Sequence, residues 1–285
     1  MGTFFHRHRG ATPYLLLAPG VLWLAIFFVI PLAFLGYESL QSGLFPNFEF
    51  TWQFSNFSDG IRDYHTQLLR SFVYAGIATL ACLVLAYPLV YWIAFRAGAW
   101  RNLFLLFIVA PFFVTYLVRT LAWLNILADE GPVVGILRDL HILGPDGRLL
   151  ATTFAVVSGI TYNFFPFMAL PIYVSLEQMD ARLLEAAKDL YASPIQAFIR
   201  VTLPLSAPGI VAGTLLTFIP AAGDFINAAL LGTPNQAMIG NVIQSKFLES
   251  LDYPSAAALS FILMGLILVA LLVYARIVGS ERLTG

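Results

Sequence analysis

Charge is scarce in this sequence. Of its 285 residues only 11% are Asp, Glu, Lys or Arg, where a soluble domain carries roughly a quarter. The formal net charge is −1, and no cluster of Lys and Arg is dense enough to track a phosphate backbone, which excludes nucleic acid as a partner. There is one cysteine, Cys82, so a single chain can build neither a disulfide framework nor a cysteine metal site. Its apolar surroundings mark it as a structural thiol. The four histidines, His6, His8, His65 and His141, fall in predicted loops, and neither H-E-x-x-H nor G-x-S-x-G occurs, so no catalytic residue and no metal ligand is assigned. The string nearest to a Walker A loop, "GNVIQSK", lacks its second glycine; no nucleotide cofactor is expected on this chain.

What is abundant is apolar: 59% of the residues are hydrophobic and 15% are aromatic. Runs of about 20 apolar residues, long enough to cross a hydrocarbon core of roughly 30 Å, lie at 14–37, 68–95, 102–127, 151–176, 206–231 and 255–278. None alternates with the period of a barrel strand, and backbone groups in lipid must be satisfied within their own segment. The predicted fold class is therefore all-α and integral to the membrane, with six transmembrane helices. The first run is too long for a signal-peptide core and no A-x-A-like site follows it, so it is read as a retained helix. Pro19, Pro31, Pro88, Pro111, Pro166, Pro171, Pro208 and Pro220 fall inside or beside the runs, and neighbouring helices must re-satisfy the carbonyls they free.

Basic residues predict direction. With the N-terminus cytoplasmic, Arg7, Arg9, Arg96, Arg101, Arg182, Lys188, Arg200, Arg276 and Arg282 lie inside, and Arg62, Arg70, Arg138, Arg148 and Lys246 lie outside. Nine against five puts both termini inside. Residues 1–13 and 280–285 then form cytoplasmic tails around a membrane domain at 14–279. Ten acids, Glu38, Glu49, Asp59, Asp63, Asp129, Glu130, Asp139, Asp146, Glu249 and Asp252, fall outside, giving that mouth a negative balance that favours cations.

The segment 180–204, between the fourth and fifth runs, is polar and looks structured. Asp180 can cap a short helix through "ARLLEAAKDL"; Ser193, Pro194 and Gln196 read as N-cap, first-turn proline and capping-box partner of a second, which "VTLP" is expected to stop. On the first, Leu183, Ala186, Ala187 and Leu190 share an apolar face, and Arg182, Glu185 and Asp189 a charged one. Such a cytoplasmic knob suits the grip of another protein.

At these residues the chain resembles the inner-membrane permeases of binding-protein-dependent, type I ABC importers. Their loop reads E-A-A, three residues, Gly, nine residues, Ile, any residue, Leu-Pro; here Glu185, Ala186, Ala187, Leu203 and Pro204 stand in register. Val201 replaces the isoleucine and Tyr191 the glycine. A glycine just past a short helix usually turns left-handed, so either the turn is made differently here or Tyr191 adds a partner contact. "PFFVTYLVRTLAWLNIL", "TYNFFPFMALPIYVSLEQMD" and "GDFINAALLGTPNQAMIGNVIQSKFL" are similar to the spermidine/putrescine branch. The resemblance implies a non-enzymatic permease subunit in a bacterial inner membrane, forming half of a polyamine pathway. It further implies ATP and Mg on a separate dimer of cytoplasmic ATPase subunits, a second permease that is a homologue in a heterodimer, and an extracytoplasmic substrate-binding protein.

Arg119 in the third run and Asp224 in the fifth each cost at least roughly 2.5 to 3.5 kcal/mol at membrane depth unless partnered or hydrated. They can pair with each other or with a neighbouring subunit as structural glue. Arg119 can otherwise gate, and Asp224 can instead line an aqueous path for a protonated amine. Tyr116, Trp123, Tyr162 and Phe165 can add ring faces to such a path or simply pack in the core, and Asn163 can wall the passage or satisfy a carbonyl freed by proline. Outside, "ADEGPVVGILRDLHILGPDGRLL" and the first outer loop with Trp52 can receive a binding protein or plug the helix ends. On hydropathy alone an ion-coupled secondary transporter or a channel subunit for small organic cations remains the rival, although no inverted repeat is visible.

Overall fold

The computed structural model describes residues 12–144, 146–180 and 182–280. Arg7, Arg9 and Arg282, and with them most of the expected tails, lie outside the described residues. Helices dominate because apolar segments without polar alternation satisfy their backbone only internally. In chain order they are α1 (Thr12–Leu24), a π turn (Ala25–Val29), α2 (Ile30–Ser39), strands β1 (Gln41–Leu44) and β2 (Asn47–Phe50), α3 (Ser55–Arg96), α4 (Arg101–Val109) and α5 (Tyr116–Leu127). There follow α6 (Pro132–Asp139), α7 (Thr153–Glu177), α8 (Arg182–Asp189), α9 (Pro194–Ala197), a π turn (Phe198–Thr202), α10 (Leu203–Ala222), α11 (Ile226–Leu231), α12 (Ile239–Leu248) and α13 (Tyr253–Ser280). Among the described residues six helical stretches are long and apolar enough to cross a membrane: Leu16–Ser39, Ser55–Arg96, Tyr116–Asp139, Thr153–Glu177, Pro194–Ala222 and Tyr253–Ile277.

Several boundaries differ from expectation. The second run enters its helix a full polar stretch early, at Ser55, with a kink at Tyr64 (φ −119°, ψ 17°). The third run is not one helix. At Pro111 the chain tightens into a 3₁₀ turn over Ala110–Phe113, Val114 is extended (φ −102°, ψ 136°), and α5 begins only after an extended Thr115. Nor does "VTLP" stop a helix: Pro204 sits in the first turn of α10, and helix continues from Pro194 through the π turn to Ala222. Inside that continuous helix Pro204 has no N–H to offer the preceding turn, and the π turn at Phe198–Thr202 just ahead of it accommodates the loss.

The chain forms two compact units, one comprising the residues up to Asp63 with Ser245–Ile262, the other Tyr64–Gln244 with the residues from Leu263 on. In the first, β1 and β2 form an antiparallel hairpin pairing Gln41 with Phe50 and Leu44 with Asn47. Asn56 donates from Nδ2 to the carbonyls of Ser39 and Gln41, each at 2.9 Å, and so holds the hairpin root to α3. Lys246 and Asp252 pair at 2.9 Å.

In the second unit α7 carries most of the core. One cluster gathers Leu127, Val156, Ile160, Leu231 and Met238, another Val90, Ile93, Met168, Ile172 and Leu176. Cys82 is buried, with its thiol on the Thr161 carbonyl at 3.3 Å. Helices α7 and α10 approach closely because Gly209 and Gly213 stand one turn apart. A Cβ at Gly209 would fall 2.5 Å from Ser175 Oγ, and one at Gly213 2.9 Å from Met168 Sδ. Small residues at this spacing let membrane helices gain dispersion contacts where lipid offers no hydrophobic drive.

Gly209→Leu is accordingly expected to lower the melting temperature of the purified protein, by overpacking worth about 1–3 kcal/mol. Gly76, whose Cβ direction is open, serves as the control, and Gly76→Ala should leave it unchanged or slightly raised.

Candidate functional site

The segment 180–204 is built as its residue types require. Asp180 accepts the Arg182 backbone N–H at Oδ1 (2.9 Å), capping α8. Ser193 Oγ accepts from Gln196 N (3.3 Å), and Gln196 Oε1 accepts from Ser193 N (3.0 Å), a complete capping box ahead of Pro194. Between the two helices Tyr191 adopts φ +60°. The Ala192 N–H reaches back to the Ala187 carbonyl at 3.0 Å, the six-to-one bond of a Schellman ending with Tyr191 in the left-handed position. The turn is therefore made as a glycine would make it, and a tyrosine there carries roughly 1–2 kcal/mol of strain.

Ala187 is the buried contact of α8, while Glu185, Ala186 and Asp189 are exposed. Leu183, Leu190 and Ile195 are exposed as well, and Tyr191 is 97% exposed. The expected apolar face of α8 thus turns only Ala187 inward, leaving a surface of mixed apolar and charged side chains. Leu203 and Pro204 lie exposed at the start of α10, so the two ends of the motif flank one helical entry. Beneath the loop Ser175, Gln178, Met179, Asp180, Leu183 and Leu205 line a depression of about 300 Å³.

The other singled-out residues divide into two groups. Tyr116, Asn163 and Asp224 meet in a buried polar cluster. Asp224 lies in the break between α10 and α11, not inside a span. Its Oδ1 accepts from Ile226 N (2.8 Å) and Asn227 N (3.3 Å), closing the first turn of α11; Oδ2 accepts from Tyr116 Oη (2.8 Å) and Asn227 Nδ2 (2.5 Å). Asn163 donates from Nδ2 to Thr120 Oγ1 and Asn227 Oδ1, both at 3.2 Å. Three helices, α5, α7 and α11, are joined through these side chains. The residues sequence reasoning missed are Asn227, Thr120 and Gly159, at which a Cβ would fall 2.5 Å from Asn227 Oδ1. A usable signal existed: an Asp ahead of "FINAALLG" is an N-cap pattern.

Trp123, Tyr162 and Phe165 form the second group. With Ile77, Leu85 and Val157 they line a groove of about 510 Å³, in which the Trp123 and Tyr162 rings lie 5.5 Å apart. Successive residues of α7, Tyr162 and Asn163, thus have different surroundings: one lines the groove, the other joins the polar cluster.

Arg119 does not pair with Asp224; among the described residues no ion pair joins it to a carboxylate. It is buried, with its guanidinium carbon 5.3 Å from the Phe112 ring centre and 5.6 Å from that of Tyr116. Nε and Nη1 lack a hydrogen-bond partner among the described residues. In the 128–150 segment Arg148 bonds the Asp129 carboxylate at 2.6 and 2.8 Å, and Arg138 donates to the carbonyls of Asp129 and Gly147.

The fold defines a class first: it is that of the membrane subunits of bacterial ABC importers. A bacterial alginate ABC transporter in complex with an alginate pentasaccharide-bound periplasmic protein aligns with a TM-score of 0.77 at 18% identity, over 99% of this chain and 97% of that one. The inward-facing MetNI methionine ABC transporter aligns with a TM-score of 0.59 at 15% identity, over 75% and 94%. Residues 60–280 match the model of the binding-protein-dependent transport system inner membrane component, and the chain belongs to that family. It is a multi-pass inner-membrane transport subunit, not an enzyme. Among its relatives, the spermidine/putrescine transport system permease protein PotB of Haemophilus influenzae is 38% identical over 256 residues, 89% of this chain and 90% of that one. The PotB of Escherichia coli is 41% identical over 213 residues, 75% and 78%.

Two substitutions test the geometry. Tyr191→Gly removes left-handed strain but loosens the unfolded chain, so a net gain of about 0.5–1 kcal/mol is expected in thermal unfolding of the isolated protein. Asp224→Asn replaces an acceptor oxygen by a donor against Tyr116 and Asn227. A loss of about 1–3 kcal/mol is expected, read as a lower melting temperature; an unchanged one would assign the carboxylate no clamping role.

Proposed function

We propose that this chain forms half of the translocation pathway of an ATP-driven polyamine importer, and that residues 180–204 couple it to a separate ATPase. The observation that carries the reading is the uninterrupted helix from Pro194 to Ala222, which starts at a capped, exposed loop and ends two residues short of Asp224. A displacement imposed on the loop is delivered along that helix to the polar cluster. Glu185, Ala186, Ala187, Asp189 and Tyr191 supply the surface the ATPase grips, and Leu203 and Pro204 fix the entry of the helix that transmits its motion. ATP and Mg belong to the ATPase dimer, since this chain carries no Walker A loop. A second permease, a homologue of this one, supplies the other half of the pathway, and an extracytoplasmic binding protein delivers the solute. The likeness to the PotB permeases supports a spermidine- or putrescine-like cation as that solute.

Within the chain, Trp123, Tyr162 and Phe165 offer ring faces to a passing ammonium group. Asp224, Tyr116 and Asn163 hold that wall in place from behind, so their part is positioning. Arg119, pressed on Phe112 and Tyr116 next to the break in the third span, serves as a fixed positive charge beside the path.

The test is uptake into proteoliposomes carrying the full complex, with labelled putrescine, spermidine and unrelated solutes. ATP-dependent, vanadate-sensitive uptake of the polyamines alone is expected. Uptake by this chain without an ATPase would instead support an ion-coupled carrier. Trp123→Ala and Tyr162→Ala should raise KM by about two- to thirty-fold, the equivalent of a lost cation–ring contact of 0.5–2 kcal/mol, while Tyr162→Phe should stay near the parent.

A further inference from the structure

The strongest feature that transport leaves unused is a chain of aromatic rings in the first unit. It begins on the last turns of a membrane span and continues onto the hairpin. Phe34 and Tyr37 of α2 lie 6.5 Å apart, Tyr37 stacks on Phe50 of β2 at 4.8 Å with planes only 2° apart, Phe50 meets Trp52 at 5.0 Å, and Trp52 meets Phe54 at 6.2 Å. Rings of this size are normally covered, yet Phe34 is 60%, Trp52 63% and Phe54 64% exposed. Trp52 also sits at φ +52°, a costly conformation for a bulky side chain that persists only where the surroundings over-determine it.

We propose that this ladder is seated in the interfacial layer of the bilayer and anchors the end of the first span there. Its continuity with Leu16–Ser39, whose apolar window has no residue buried by the rest of the chain, puts the first rings at the level where that helix leaves the hydrocarbon. Tyr and Trp, apolar in body and polar at one tip, are the side chains that gain most at this depth. A protein partner is a poorer match. Docking faces surround their aromatic anchors with a polar, charged rim, and between Leu40 and Phe54 only Glu49 carries a charge.

The test uses the assembled complex in lipid nanodiscs, with Cys82→Ala to remove the native thiol and a nitroxide attached at Trp52→Cys or, separately, Phe54→Cys. Collision with oxygen, which concentrates in lipid, should exceed collision with a water-soluble nickel chelate several-fold at both positions, and adding the extracytoplasmic binding protein should change neither. Dominant access to the chelate would overturn the anchor, as would protection from both reagents by a second permease or by the binding protein. If Trp52→Cys does not assemble, the Phe54→Cys ratio decides alone. None of these readings depends on which solute is carried or on ATP.

Discussion

The carboxylate of Asp224 is where the larger unit is tied together. An acid near membrane depth is tolerated only when its charge is matched by donors, and here four donors meet its two oxygens: two backbone N–H groups of α11, the Tyr116 hydroxyl and the Asn227 amide. Through Asn227 the same cluster reaches Asn163 and Thr120, so α5, α7 and α11 share one set of hydrogen bonds. Where the chain leaves the helix after Ala222, the same carboxylate caps the helix that follows. What lies at either end of α10 is thereby linked: a capped loop at its start and a polar clamp at its finish.

Close packing completes the link. Gly209 and Gly213 bring α10 onto α7, and α7 carries both Asn163 on the clamp side and Tyr162 on the groove side. A helix held that tightly moves with its neighbour and does not slide past it, since packed interiors are bistable and not continuously deformable. The loop end is rigid for a different reason. Its two caps and Schellman turn satisfy its termini locally, and the strain at Tyr191 is carried by an exposed ring that the proposed ATPase contact would compensate.

The parts legible in the sequence were those with local chemistry. Asp180, Ser193, Pro194 and Gln196 announced their caps because capping depends on residue type and spacing over three or four positions, and the six apolar runs are set by composition. The breaks were not legible. A membrane helix has no polar face whose periodicity would fail at an interruption, so "IVAPFFVTYL" reads as smoothly apolar although the backbone leaves the helix there. The end of α10 was hidden in the same way, because the apolar residues of α11 resume after only three positions. Asp224 was singled out for its charge, but its donors are distant in sequence, and Asn227 looked like one more polar residue in a family-like stretch. The hairpin escaped notice because its four-residue strands are too short for alternation to register.

The central claim is that the helix from Pro194 to Ala222 moves as one rod between loop and clamp. The most direct measurement is electron–electron dipolar spectroscopy on the assembled complex, with labels at Ile195 and Ile219 on the rod and at Leu80 on α3 as an outside reference. Between the nucleotide-free and vanadate-trapped states, the Ile195–Ile219 distance should stay constant while the distances from both to Leu80 change together. A change in the Ile195–Ile219 distance itself, with Ile219 stationary relative to Leu80, would show that the π turn at Phe198–Thr202 absorbs the motion, and would contradict the mechanical link.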